Sequence, residues 1–152
     1  MRIATVMMFC TLILIASSGN ARADDKADIE KDLKKFQGAW TFESVEVGGK
    51  VDSAADFKDM TVTFEGDQFI VKKGNEVIQV GTEKIDPSKS PKTVDVTVTE
   101  GLSKGAVMLG IYEIDGDMLK VCFDPEGKKR PTEFKTAPGS QAFFNVHKRV
   151  KK

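Results

Sequence analysis

Two periodicities divide the chain. Over residues 24–36, Ile29, Leu33 and Phe36 recur at i, i+4 and i+7, the spacing of one helical face. Asp24, Asp25 and Asp28 crowd the start of this segment and Lys31, Lys34 and Lys35 its end, an order that complements the helix dipole. Gly38 stands where such a helix would stop. From residue 37 onward the apolar period is two. Trp40 and Phe42 alternate with polar residues, and Val45 and Val47 continue on the opposite parity, which predicts a bulge near Ser44. Gly48-Gly49 turns the chain, and residues 52–58 predict a short helix with Ser53 as its cap.

The alternation resumes at Met60, Val62 and Phe64 and turns at Glu65-Gly66-Asp67. Strands are predicted over 68–72, 76–85 and around Val94, Val96 and Val98. After a loop over 101–105, residues 106–114 and 118–123 form a hairpin across Asp115-Gly116-Asp117, the strongest turn signal in the chain. Residues 141–148 make the last strand. About eight short strands joined largely by hairpin-length turns, with no long helix between them, predict an all-β domain. Neighbouring antiparallel strands in sequence order favour an up-and-down barrel, because closure leaves no exposed edge. The predicted fold is therefore an antiparallel up-and-down barrel of about eight strands with a short N-terminal helix.

The segment ahead of the helix has a different character. Met1-Arg2 is a short positive start, residues 3–16 are apolar and uncharged, and Ala21-Arg22-Ala23 offers the small-x-small pattern of a signal-peptidase site. Fourteen apolar residues are short for a bilayer span of about 20. Residues 1–23 thus predict a cleaved signal peptide and a mature chain beginning at Asp24, exported to the periplasm or the exterior, with no membrane span of its own. Residues 24–36 are the helix and 37–152 the barrel domain. Removing Arg2 and Arg22 leaves 21 basic against 23 acidic residues, a net charge of −2. That balance, with signs interspersed, excludes the basic footprint of a nucleic-acid binder. Cys10 leaves with the signal, so Cys122 has no partner for an intrachain disulfide and reads as a small buried hydrophobe.

Three segments resemble a known family. Phe36-Gln37-Gly38-Ala39-Trp40 is similar to the Gly-x-Trp opening of lipocalins. Residues 110–123, reading Gly-Ile-Tyr-Glu…Asp-Gly-Asp…Cys-Phe, and Arg130-Pro131-Thr132-Glu133-Phe134 resemble a family of small exported, lipocalin-like domains abundant in planctomycete bacteria. Residues 81–91 fit the same pattern, so the resemblance spans about 36–149. It implies a lipocalin-like barrel and export, and by analogy a small apolar ligand; the family has no assigned activity. It also implies that Gly38 and Trp40 close one end of the barrel, with Lys148 or Arg149 stacked on the indole by a cation–π contact.

The remaining candidates follow from residue chemistry. Phe42, Phe64, Leu109 and Phe123 are expected to line an apolar interior. Tyr112, the single tyrosine, reads either as a buried ring with its hydroxyl bonded near the surface or as a ligand-orienting hydroxyl. Arg130 reads either as a grip on an anionic headgroup or as an internal ion pair that shapes its loop. His147, the single histidine, is expected at the surface or the barrel mouth. No Gly-x-Ser-x-Gly elbow accompanies it, so no catalytic constellation is found. One histidine and one mature cysteine fall short of a four-ligand zinc site, Asp115-Gly-Asp117 lacks the further oxygens of a calcium loop, and no glycine-rich phosphate loop opens a helix. The expectation is a non-enzymatic binding module without a cofactor, holding a small hydrophobic or amphipathic molecule. The alternative is an interaction module with a barrel filled by its own side chains.

Overall fold

The computed structural model describes residues 22–152. The apolar run over 3–16 and Ala21, on which the signal-peptide reading rests, lie outside the described residues. Helix α1 spans Ala23–Phe36. Its start is held by Asp25, whose carboxylate accepts the Arg22 backbone N–H at 3.0 Å, and its apolar stripe of Ile29, Leu33 and Phe36 packs on the barrel core. The C-terminus is clamped by Gln37. Its amide donates to Leu33 O and Gly66 O, both at 2.9 Å, and its carbonyl oxygen accepts from Gly66 N at 2.7 Å.

The strands are β1 (Gly38–Val47), β2 (Lys50–Asp52), β3 (Met60–Glu65), β4 (Gln68–Lys73), β5 (Glu76–Asp86), β6 (Lys92–Gly101), β7 (Val107–Asp115), β8 (Met118–Asp124) and β9 (Phe143–Arg149). All pairings are antiparallel, and β3 to β9 are neighbours in chain order. Pairing of β1 with both β3 and β9 closes the wall at eight strands, while β2 only extends one end of β1. The all-β up-and-down barrel with a short N-terminal helix is thus the fold that the residue pattern predicts. The bulge falls between Phe42 and Ser44 as expected. The predicted helix over 52–58 is a single 3₁₀ turn, Ala54–Phe57.

The turns after β3, β5 and β7 lie at the helix end of the barrel, and the β4–β5, β6–β7 and β8–β9 connections lie at the other. Two glycines give the interior its shape. A Cβ on Gly110 would stand 2.4 Å from the ring of Phe123, its cross-strand partner, and one on Gly81 would stand 2.5 Å from the ring of Phe69. Each aromatic ring therefore lies over a backbone left bare for it.

The expectation for Leu109 needs correction. On β7 the inward parity is Met108, Gly110 and Tyr112, which puts Leu109 and Ile111 on the outer face. Ile111 is buried there nonetheless, opposite Cys122. The connection over 125–142 covers this face: Cys122 Sγ lies 3.7 Å from Lys135 O, and the rings of Phe134 and Phe144 are 6.0 Å apart. Both faces of β7 and β8 therefore carry apolar residues, and hydrophobicity alone does not distinguish them.

Candidate ligand cavity

Phe36 ends α1 directly above the lumen and packs against Phe64 and Tyr112, with ring centroids at 5.2 and 5.0 Å. Trp40 on β1 is fully buried beneath it and donates its indole N–H to Phe36 O at 2.7 Å. The guanidinium of Arg149 lies 4.1 Å from the Trp40 ring centroid and donates to Gln37 O at 2.8 Å and Lys35 O at 2.6 Å. Asp117 faces it at 3.3 Å. Gly38, Trp40 and Arg149 thus meet at the closed end of the barrel. Arg149, not Lys148, stacks on the indole.

A second device ties the helix to the wall. Asp32, on the buried side of α1, accepts from Lys92 Nζ at 2.6 Å, Lys35 Nζ at 2.7 Å and Tyr112 Oη at 2.9 Å. Burial opposes ionisation of Asp32, but these hydrogen bonds outweigh it and hold the carboxyl at about 2, below its ordinary 3.8. The Tyr112 hydroxyl is pushed up by burial and by Asp32. Because the folded pKa is depressed, this carboxylate stabilises the fold above pH 4, and its contribution is lost as pH falls toward 2. Both lysine ends are substantially exposed, so solvent screening limits the contribution to about 1–2 kcal/mol. Urea titrations of Asp32→Asn at pH 7 and pH 2 are expected to show that loss at pH 7 and little difference at pH 2. An equal loss at both pH values would show that Asp32 acts through packing alone.

Below Phe36 the barrel encloses a cavity of about 260 Å³. Six phenylalanines line it: Phe36, Phe42, Phe64, Phe69, Phe123 and Phe143. Valines of β3, β4, β6 and β8, with Met60, Met108 and Leu119, fill most of the remaining wall. The cavity extends to Leu102 in the β6–β7 connection, a residue 64% exposed, so it reaches the outside at the end away from the helix. No protein-family model, curated protein or solved structure matches this chain. The site is therefore read from its own residues.

Three of its polar groups are unusual. Glu83 is 6% exposed and His147 is 3% exposed, and both line the cavity together with Asn145. Glu83 Oε1, His147 Nδ1 and Asn145 Oδ1 are buried without a hydrogen-bond partner among the described residues. Burial, reinforced by the charge of Asp67, raises the Glu83 carboxyl from 4.5 to about 8, so at neutral pH it holds its proton. Burial lowers His147 to about 4, only partly opposed by a backbone hydrogen bond with Thr41, so the imidazole is neutral. Its ring lies edge-on to Phe42 at 4.5 Å. Orphaned polar atoms in an apolar wall are costly, and native interiors seldom keep them without a use.

Of the residues expected to meet a ligand, Phe42, Phe64 and Phe123 line the cavity. Leu109 lies outside. Tyr112 is the buried ring with a bonded hydroxyl, turned to Asp32 rather than to the cavity. Arg130 is the internal ion pair of its loop. It stands on the outer face, 2.6 Å from Asp95 Oδ1, and donates to Gly110 O at 2.7 Å. It borders an external recess with Lys84, Asp86 and Pro131 and is not among the residues that line the lumen. His147 is not at the surface, because β9 turns Phe143, Asn145 and His147 inward. Glu83 was missed. Its one signal is its parity with Gly81 and Ile85, which put an acid on the inward side of β5, and the neighbouring Lys84 gives that stretch the look of a solvated face.

Proposed function

We propose that the chain is an exported, non-enzymatic binding protein of lipocalin-like type that holds one small amphipathic molecule inside its barrel. The supporting observation is the cavity itself: a phenylalanine-rich chamber with three buried polar atoms left unpartnered. An apolar chamber with a few polar groups is the usual composition of a small-molecule site. A cavity of about 150 Å³ accommodates benzene, so one of 260 Å³ suits an occupant of about ten non-hydrogen atoms. The alternative of a barrel filled by its own side chains has no comparable support, since the interior keeps this volume.

Native mass spectrometry of the protein recovered from exporting cells is the direct test. The expected result is a chain beginning at Asp24 that carries an extra mass lost on denaturation. Met108→Trp, which extends an indole into the cavity, is expected to return the bare mass and to abolish protection by added small apolar compounds. A bare wild-type mass, combined with no thermal shift from any such compound, would overturn the carrier reading. Retained residues 1–23 would overturn the export reading.

A further inference from the structure

Cavity composition restricts the chemistry of the occupant. Among the described residues that line it there are an acid, two amides and an imidazole, but no lysine or arginine; one amide, Gln79, already donates to Leu102 O at 2.8 Å. All three orphaned atoms, Glu83 Oε1, Asn145 Oδ1 and His147 Nδ1, can accept a hydrogen bond. A carboxylate ligand would bring a second acid beside Glu83 with no cation to offset it. A neutral hydrocarbon would leave every orphan unsatisfied. An ammonium group is a donor and brings the positive charge that lets Glu83 ionise, and the phenylalanine rings add cation–π attraction for it. Glu83 on β5 and the pair Asn145 and His147 on β9 stand on strands four places apart around an eight-stranded wall, so they face each other across the lumen. An occupant that satisfies both sides carries a donor at each end.

We propose that the cavity binds a small aromatic amine, with its ammonium on Glu83 and a hydroxyl directed toward Asn145 and His147. This rests on the carrier reading and narrows it to one ligand class. Binding then ionises Glu83: the carboxyl proton leaves to solvent as the ammonium arrives. The other titratable groups near Glu83 are Asp67 from the β3–β4 turn, Tyr112 from β7 and His147 from β9. Asp67 is an exposed acid whose charge, which raises Glu83, also favours a cation at this site, while Tyr112 and His147 are neutral at pH 7.

Calorimetric titration of the mature wild-type protein with tyramine, 4-ethylphenol and 3-(4-hydroxyphenyl)propionate compares the amine, neutral and acid versions of one ring. Tyramine is expected to bind at least tenfold more tightly than either of the others. In buffers of different ionisation enthalpy it should release close to one proton at pH 7, and its affinity should rise up to tenfold per pH unit between pH 6 and pH 8. Glu83→Gln is expected to lose at least tenfold in tyramine affinity, together with the proton release and the pH dependence. Unchanged binding of 4-ethylphenol shows that the variant cavity is intact. Equal or tighter binding of the phenol or the acid by the wild type would overturn the amine assignment and leave the carrier reading standing. Failure of all three to bind would likewise overturn the amine assignment, while the carrier reading stands or falls on the native mass and the thermal shifts.

Discussion

Trp40→Ala is expected to remove about 3–5 kcal/mol of stability, the range for truncating a fully buried large aromatic residue. Three losses coincide at this position. The indole has no exposed surface, so its removal opens a void beneath Phe36. Its N–H bond to Phe36 O, which satisfies one of the last carbonyls of α1, disappears. The Arg149 guanidinium loses the ring beneath it while still anchored to Gln37 O and Lys35 O. For a domain of about 130 residues, with total stability of about 5–15 kcal/mol, this is about a fifth or more of the total and lowers the Tm by about 10 °C or more. Trp40→Phe keeps a ring but not the N–H donor and should fall between the two. Equilibrium urea unfolding measures both, and a Trp40→Ala loss under 1 kcal/mol would show that the closed end is held by α1 and the Asp32 contacts without the indole.

That closure was legible through the resemblance to the Gly-x-Trp opening of lipocalins, which is carried by a local motif: Gly38 and Trp40 are two residues apart, and an arginine ends the last strand. Strand order was legible for a similar reason, since each hairpin turn is written in a few adjacent residues, as at Asp115-Gly116-Asp117. The inward face of each strand was less so. Parity separates inside from outside only when the outside is wet, and on β7 and β8 the connection over 125–142 keeps Ile111 and Cys122 dry. Leu109 was accordingly placed on the wrong face. The two most consequential acids share a subtler signal, each being a charge set within an apolar pattern. Asp32 lies between Ile29 and Leu33 on the buried stripe of α1, and Glu83 lies between Gly81 and Ile85 on the inward parity of β5. What became of each charge depends on residues far away in sequence. Lys92 and Tyr112 satisfy Asp32 from 60 and 80 residues away, whereas nothing among the described residues satisfies Glu83 Oε1.

The second large effect follows from that contrast and has the opposite sign: Glu83→Met is expected to stabilise the empty protein. The folded carboxyl is raised from 4.5 to about 8, so below pH 4.5 it is protonated in both the folded and unfolded chains and has no effect on the pH dependence. Between pH 4.5 and 8 the unfolded chain ionises while the fold holds its proton, and stability declines by about 1.4 kcal/mol per pH unit. By pH 7 this amounts to about 3 kcal/mol. Together with the Asp32 contribution, which grows from pH 2 to pH 4, it places the stability maximum of the wild type near pH 4–5. Glu83→Met removes the alkaline decline and the orphaned oxygen together, so its gain should be about 3 kcal/mol at pH 7 and much smaller at pH 4.5. Glu83→Gln removes the decline alone. Urea unfolding from pH 4 to pH 9 separates the three proteins, and a Glu83→Met variant no more stable than wild type at pH 8 would show that water reaches this carboxyl and satisfies it. A residue whose removal strengthens the fold is retained for something other than folding, and in this barrel Glu83 faces the cavity.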